Sequence, residues 1–176
     1  MKKQTQTLLT FLTLVSVLLL NSCSSRAENV TEIPIKPDTA IVKIVGDTVA
    51  DVLFTPKSVT LYLSKNRKKL NDKEVEITTG FVRDTLVAKL NPSDVAILQF
   101  VLLSDTLNYK KDKDQIKSPY VPLYEFVFVK KKETVQVLIS FSDNYWEIKR
   151  GNKTVCKYNF ANRELLSRFI DLVYKP

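Results

Sequence analysis

The chain has 176 residues and a formal net charge of +8, with 44% hydrophobic and 10% aromatic residues. This composition is typical of a globular protein and argues against a disordered chain. The chain contains no histidine, two cysteines and three widely spaced glycines. These counts exclude histidine-dependent catalytic triads, zinc clusters of the usual spacing and glycine-rich phosphate loops. We therefore expect no metal and no cofactor, and we assign no catalytic residue.

The first residues have the layout of a secretory signal. Lys2 and Lys3 precede an apolar stretch at 8–20. This stretch is shorter than the ~20 apolar residues of a membrane-spanning helix and suits the apolar region of a signal peptide. We therefore predict a signal peptide over residues 1–22.

The signal ends in Leu20-Asn21-Ser22-Cys23, which resembles the lipobox of bacterial lipoproteins: an aliphatic residue and a small residue before a cysteine. The resemblance implies cleavage before Cys23 and acylation of Cys23 with chains such as palmitate. Two alternatives stay open, an ordinary signal peptide that carries a cysteine and an uncleaved N-terminal anchor.

The residues after Cys23 bear on the location of the protein. Two or more acyl chains hold a protein stably on one leaflet. By resemblance to lipoprotein sorting signals, Ser24 in place of an aspartate disfavours retention at the inner membrane. A single acid, Glu28, follows closely, whereas surface-exported lipoproteins often carry an acidic cluster there. We therefore expect a lipid-anchored protein of the outer membrane that faces the periplasm, with surface exposure as the alternative, and no nucleic-acid partner.

Residues 23–39 are rich in polar residues and proline and lack an apolar period, which predicts a flexible tether. A single globular domain then extends over residues 40–176. With Cys23 acylated, Cys156 has no cysteine to pair with. Free cysteines are among the most buried residues, so we expect Cys156 to be a buried structural thiol.

Residues 40–89 show a strand-like but broken pattern. A short apolar run at 41–45 ends in a Gly-Asp turn pair, and residues 48–54 predict a helical turn capped by Asp47 or Thr48. Alternation at 59–63 predicts a strand. The basic run at 65–69 predicts a loop, and further short strands follow at 75–78 and 81–89.

The best helix start in the chain is at Asn91-Pro92, where asparagine suits the N-cap, proline the first helical position and Asp94 the first turn. The residues that follow are apolar on nearly all sides. This pattern predicts a buried core helix over about 92–104.

The last part of the chain predicts an antiparallel β-meander over about 121–160, with strands at 121–129, 134–141, 145–150 and 154–160 joined by short turns. Tyr124, Phe126 and Phe128 share one face of the first strand. A C-terminal helix over about 162–174 has one apolar stripe, for which the meander is the obvious partner. The predicted class is α+β, an antiparallel sheet packed by helices on one face.

The second half resembles small uncharacterised lipoproteins of the Bacteroidetes. The resemblance is carried by the helix start at 90–92, the segments at 122–126 and 138–141, Trp146 and a leucine-rich closing helix. It implies an envelope location and this architecture, and it brings no activity.

Four Asp-Thr-apolar segments resemble the acceptor motif of periplasmic O-glycosylation in the same phylum. The resemblance implies modification at Thr39, Thr48, Thr85 and Thr106. The alternative is that Asp-Thr pairs commonly begin turns and helices.

Two charged features complete the candidate sites. Lysines in two basic segments could contact anionic lipid headgroups or an acidic envelope polymer, at ~1 kcal/mol each; the alternative is two solvated loop tips. These lysines are Lys68, Lys69, Lys130, Lys131 and Lys132. Glu125, between two aromatic residues, is a carboxylate whose pKa burial would raise, although an outward-facing glutamate on an amphipathic strand is the simpler interpretation.

Two classes of function fit these features. The first is a membrane-anchored, non-catalytic lipoprotein that binds an envelope protein or glycan. The alternative is an envelope enzyme that uses carboxylates or lysines on a glycan or peptide. A deep pocket lined by two acids would favour the enzyme, and a flat exposed aromatic patch would favour binding.

Overall fold

The computed structural model describes residues 35–70, 76–110 and 120–174. Within these ranges the α-helices are α1 (Thr39–Val45), α2 (Asp47–Phe54), α3 (Pro92–Leu98) and α4 (Arg163–Val173). The strands described are β1 (Ser58–Leu70), β2 (Glu76–Lys89), β3 (Tyr124–Lys130), β4 (Glu133–Ser140), β5 (Tyr145–Arg150) and β6 (Lys153–Asn159). The predicted signal peptide, Cys23 and most of the tether lie outside the described residues.

The strands form one open sheet in the order β2-β1-β3-β4-β5-β6, and every neighbouring pair is antiparallel. With the helices, this confirms the predicted α+β class. The four strands of the predicted meander are all present, although β3 begins at Tyr124, later than predicted, and β6 already ends at Asn159. In the part of the chain that the structure describes, no helix has both the length and the apolar character needed to span a bilayer.

The strand-like run at 41–45 is a helix, so this prediction was wrong. The Asp38 carboxylate accepts a hydrogen bond from the Ala40 N–H at 2.7 Å and caps α1. Ile41 and Val45, four residues apart, supply its buried side, which is helical spacing. Gly46, at φ 85°, ends α1 and is also the N-cap of α2. The predicted second helix is therefore present, but its cap is Gly46 and neither Asp47 nor Thr48.

The predicted basic loop at 65–69 is also wrong, because β1 continues through it to Leu70. Its partner is β2, with Lys68 opposite Thr78 and Lys69 opposite Ile77, so the two strand candidates at 75–78 and 81–89 are one long strand. Pairing of β1 with β3 stops at Leu63. Beyond that residue β1 and β2 form a two-stranded ribbon, which needs no buried face and therefore tolerates a run of charged residues.

The helix predicted from Asn91 begins as expected. Asn91 and Asp94 form a reciprocal capping box, with Pro92 at the first helical position. The α-helix ends at Leu98, and the chain continues as a wider π-helical turn over Gln99–Leu103. Phe100, in that turn, is 68% exposed. The expectation of a helix buried on nearly all sides was therefore wrong, because only one side of this segment faces the core.

One face of the sheet carries the apolar core. The buried side chains of this face and of the helices belong to a single hydrophobic cluster. Phe126 and Phe128 lie on it, as the alternation of β3 predicted, and the rings of Phe126 and Phe169 are 6.2 Å apart. Because alternate residues of a strand point to opposite faces, Glu125 must belong to the opposite face.

A buried asparagine, Asn108, connects three elements of the fold. Its amide nitrogen donates to the carbonyls of Val101 and Leu102 at 3.2 and 2.9 Å. Its side-chain oxygen accepts from the Ala161 N–H at 2.5 Å, and its backbone carbonyl accepts from the Trp146 indole N–H at 2.7 Å. Asn108 thereby forms hydrogen bonds to the π-helical turn, to β5 and to Ala161, just before α4.

Candidate functional site

The sheet face opposite the core contains a polar groove of about 380 Å³. We call it the open-face groove. Residues of β1 to β5 line it: Ser64, Phe81, Val82, Arg83, Glu125, Gln136, Leu138, Glu147 and Lys149. An antiparallel sheet commonly leaves one face to the solvent, and here that face has polar and charged groups along its floor.

Strand register brings two glutamates into the floor of the groove. Glu125 on β3 lies opposite Leu138 on β4, which lies opposite Glu147 on β5. Strands are spaced by ~4.8 Å, so the backbones of the two glutamates are roughly 10 Å apart. Gln136 and Lys149, also opposite each other, form the next row on the same face.

Glu125 is held by an arginine from a strand that is not its neighbour. The Arg83 Nη2 atom is 2.6 Å from Glu125 Oε1, and the Arg83 Nε atom is 3.1 Å from Oε2. The Glu125 side chain is 4% exposed and that of Arg83 is 39% exposed. The hydrogen bond with Glu125 is the main cause that raises the pKa of Arg83. Glu125 thus lies on the outer face, as expected, but it is buried beneath Arg83.

Gln136 gives Glu125 a further hydrogen bond, beside those from Arg83. Gln136 donates from its Nε2 atom to Glu125 Oε1 at 2.8 Å. Both carboxylate oxygens therefore accept hydrogen bonds, and Arg83 compensates the charge. Glu125 thus accepts three hydrogen bonds from the protein, of the roughly four that a carboxylate can accept, which leaves little capacity to bind a substrate.

Other groups in the groove retain hydrogen-bonding capacity. Among the described residues, no ion pair or hydrogen bond engages the Lys149 ammonium or the Ser64 hydroxyl. Glu147 accepts a hydrogen bond from the Thr154 hydroxyl at its Oε1 atom. The lining thus offers both donors and acceptors to a ligand.

Aromatic side chains stand beside the groove. The Tyr120 ring meets the Phe81 ring edge to face at 5.8 Å, and the Lys157 ammonium lies 3.6 Å from the centre of the Tyr120 ring. The Tyr120 hydroxyl is buried and has no hydrogen-bond partner of normal geometry among the described residues. Burial, and then the negative charge of Glu147, raise the pKa of Tyr120.

The basic residues predicted from the sequence do not form one surface. Ser58, at the start of β1, lies opposite Val129, so Lys130 is beside this end. Lys68 and Lys69 are ten residues further along β1, roughly 33 Å away along the strand. Their side chains lie outside the described part of the structure.

Lys130 is engaged within the protein. Its ammonium is 2.6 Å from Asp51 Oδ1 and 2.5 Å from the Thr55 hydroxyl, both on or next to α2. The hydrogen bond from Lys130 is the main cause that lowers the pKa of Asp51. Lys131 and Lys132, by contrast, are exposed in the turn between β3 and β4, where Lys131 has a φ of 55°.

The four candidate threonines are all exposed. Thr39 and Thr48 lie in the first turns of α1 and α2, and Thr106 begins a short 3-10 helix over Thr106–Tyr109. Thr85 lies on the edge strand β2. Asp38 and Asp105 accept capping hydrogen bonds, as the alternative interpretation expects. Capping and modification are compatible, because the Asp carboxylate and the Thr hydroxyl are different groups.

Cys156 is buried on the core side of β6. Burial raises its pKa to about 12, so the thiol stays protonated and unreactive near neutral pH. Among residues 35–70, 76–110 and 120–174, no group of three or more His, Cys, Asp or Glu side chains is placed to hold a metal ion.

Sequence reasoning missed most of the groove. Alternation within the predicted strands would have placed Gln136, Glu147 and Lys149 on the face opposite the core. Nothing local in the sequence indicates that Arg83 reaches Glu125, because that contact depends on the pairing of three strands.

Comparisons of the chain with protein-family models, with curated proteins and with solved structures found no match.

Proposed function

We propose that this chain is a lipid-anchored lipoprotein of a bacterial envelope whose open-face groove binds an envelope component. In this proposal residues 1–22 are removed, Cys23 is acylated and residues 23–39 tether the domain to the outer membrane on its periplasmic side. The lipobox-like segment Leu20-Asn21-Ser22-Cys23 is the basis for the proposed lipid anchor. The open-face groove is the basis for the proposed binding role.

One observation favours binding over catalysis. The buried carboxylate of Glu125 accepts three hydrogen bonds from Arg83 and Gln136, whereas the polar groups around it, such as Lys149, are available to a ligand. A general acid or base must lie within hydrogen-bond reach of its substrate. The Glu125 side chain is 4% exposed and lies beneath Arg83, so a substrate cannot easily reach it. A binding site needs only donors and acceptors in a concave surface.

A photocrosslinking experiment tests the binding role. A photoreactive phenylalanine derivative replaces Phe81, which lines the groove, or, as a control, the exposed Lys43 on α1. In cells, we expect a specific crosslinked product from position 81 and none of the same kind from position 43. Equal labelling at the two positions would contradict the proposal.

Cell fractionation tests the anchor. Replacement of Cys23 by Ala removes the acylation site, so the variant should leave the membrane fraction while the parent chain stays in it. A variant that remains membrane-bound would show that the lipobox interpretation is wrong.

The enzyme alternative has one observation in its favour, since two glutamates line the groove. In that case Glu147, which accepts a hydrogen bond from Thr154, would be the reacting carboxylate, and the substrate would be a glycan or peptide. Glu147→Gln would then retain the ligand crosslinked from position 81 and lose its turnover. Under the binding proposal no turnover is observed in either chain.

We also propose that α3 and α4 pack against the apolar face of the meander. The ring contact of Phe126 with Phe169 and the shared hydrophobic cluster favour this arrangement. It would leave the opposite face of the sheet for the groove.

Two surface proposals remain from the sequence. We propose O-glycosylation at one or more of the exposed threonines Thr39, Thr48, Thr85 and Thr106. The mass of the protein purified from its own envelope, compared with that of a variant carrying alanine at all four positions, tests it. We further propose that Lys131 and Lys132 contact anionic headgroups; unchanged liposome binding of their double glutamine variant would rule this out.

A further inference from the structure

The charge of the open-face groove restricts its ligand. Its lining carries two positive and two negative side chains, of which Arg83 and Glu125 are paired with each other. An anionic ligand would have to compete with Glu125 for Arg83 and would also meet Glu147. A cationic ligand would meet Lys149. The lining is therefore best matched by a ligand without net charge.

The hydrogen-bonding groups of the groove suit a ligand that both donates and accepts. The Lys149 ammonium and the Ser64 hydroxyl are donors without a partner among the described residues. Glu147 provides an acceptor oxygen beyond the one that Thr154 contacts, and the Gln136 amide uses its nitrogen on Glu125 and keeps its carbonyl. Each hydroxyl group of a ligand can donate and accept at once, so a polyhydroxylated ligand satisfies this mixture.

Apolar side chains alternate with these polar groups. Phe81, Val82 and Leu138 also line the groove. A sugar ring presents hydroxyls around its edge and C–H groups on its face, which matches polar groups beside an aromatic ring. A charged, strongly hydrated ion would gain nothing from contact with these apolar side chains.

We propose that the open-face groove binds a neutral oligosaccharide segment of an envelope glycan. The volume of about 380 Å³ lies near the lower end of the ~300–1,000 Å³ typical of ligand sites, which suits a short segment of a longer chain. This inference rests on the proposed binding function and adds the chemical class of its ligand. Protein ligands are the competing class, and the experiment includes them.

Calorimetric titration of the purified lipidated protein, in a detergent without sugar groups, tests the inference. The neutral probes are trisaccharides of glucose, of mannose and of N-acetylglucosamine, at millimolar concentration. The controls are an anionic tri-galacturonate and a neutral tripeptide. We expect saturable binding of at least one neutral trisaccharide and weaker binding of both controls.

Matched variants connect the binding to the groove. Lys149→Gln and Ser64→Ala should each weaken trisaccharide binding by about tenfold, the scale of one lost hydrogen bond to a charged or buried group. Lys43→Gln, at an exposed position on α1, should leave it unchanged. Thermal melting of each variant checks that the fold is retained.

Failure of the glycan inference and failure of the binding function give different results. If the tripeptide or tri-galacturonate binds with the same sensitivity to Lys149→Gln, the ligand class is wrong and the groove remains the binding site. If no neutral trisaccharide binds while position 81 still crosslinks in cells, the glycan inference alone is overturned. If position 81 crosslinks no more than position 43, the binding function and the glycan inference are both wrong.

Discussion

Arg83 and Glu125 form a bidentate ion pair across a strand that separates them. Arg83 lies opposite Ser64 on β1, and Glu125 lies opposite Tyr62 on the same strand. The guanidinium passes over the Tyr62 ring, 4.5 Å from its centre, to reach the carboxylate. The register of β1 shifts on either side of Tyr62, and such bulges increase the local twist of a strand. The ion pair therefore links β2 to β3 across β1, on the floor of the groove.

We predict that Arg83→Gln lowers the free energy of unfolding by about 2 kcal/mol. Removing one partner of a buried ion pair typically costs ~3–5 kcal/mol, and the 39% exposure of Arg83 reduces that value through solvent screening. Lys149→Gln is the matched control in the same groove and should change stability by less than about 0.5 kcal/mol. Chemical denaturation of the two variants gives the comparison, and equal stabilities would contradict a structural role for the pair.

We predict that Asn108→Ala lowers the free energy of unfolding by about 3 kcal/mol. The change removes three side-chain hydrogen bonds, of which those to the Val101 and Leu102 carbonyls are buried. Each buried group left unsatisfied costs ~1–3 kcal/mol. The exposed helix cap offers a control, since Asn91→Ala should cost about 1 kcal/mol. Urea denaturation measures both. A smaller loss at Asn108 than at Asn91 would show that this buried network is dispensable.

We predict that stability falls in alkaline solution partly because of Cys156. Burial raises the pKa of its thiol from 9.0 to about 12, so between these values the unfolded chain loses a proton that the native chain keeps. The contribution of Cys156 to stability is therefore complete below about pH 9 and declines as the pH rises toward 12. Cys156→Ala should show a shallower decline over this window. Identical slopes for the two chains would contradict the assignment.

The same burial predicts slow chemistry at Cys156. In a Cys23→Ala background, a thiol reagent at neutral pH should label the native protein far more slowly than the denatured protein, because the thiolate is the reactive form. Rapid labelling of the native protein would mean that the thiol is exposed and would remove the structural interpretation.

We predict that Phe169→Ala destabilises the domain by about 3–5 kcal/mol, the usual cost of removing a buried aromatic ring. Phe169 is buried and its ring faces that of Phe126. Leu172, on the same helix, is 59% exposed, and Leu172→Ala should cost little. Thermal or urea denaturation of the pair measures how much α4 contributes through its buried side, and similar losses would argue against its packing on the sheet.

Local patterns in the sequence were sufficient where neighbouring residues decide the structure. Asn91 and Pro92 specify a helix start because capping involves only the first turn. The alternation around Phe126 predicted the buried face of β3 because side chains of a strand change face at every residue. Each of these predictions depends on contacts within a few residues, and each was confirmed.

Local patterns failed where pairing partners decide the structure. The basic run at 65–69 is a strand because β2 pairs with it, which outweighs the preference of charged residues for loops. The run at 41–45 is a helix whose Ile41 and Val45, four residues apart, are buried in the hydrophobic cluster, and the run itself does not reveal that partner. In both cases short apolar or charged runs are compatible with more than one secondary structure.

Composition and short-range periodicity specify the lack of histidine, the α+β class and the apolar face of the meander. The burial of Glu125, its pairing with Arg83 and the placement of Glu147 and Lys149 in the same groove depend instead on how distant strands pair in the folded domain. These relationships join residues from three strands, β2, β3 and β5, through the register of the sheet. A one-residue shift in any of those pairings would move a side chain to the other face.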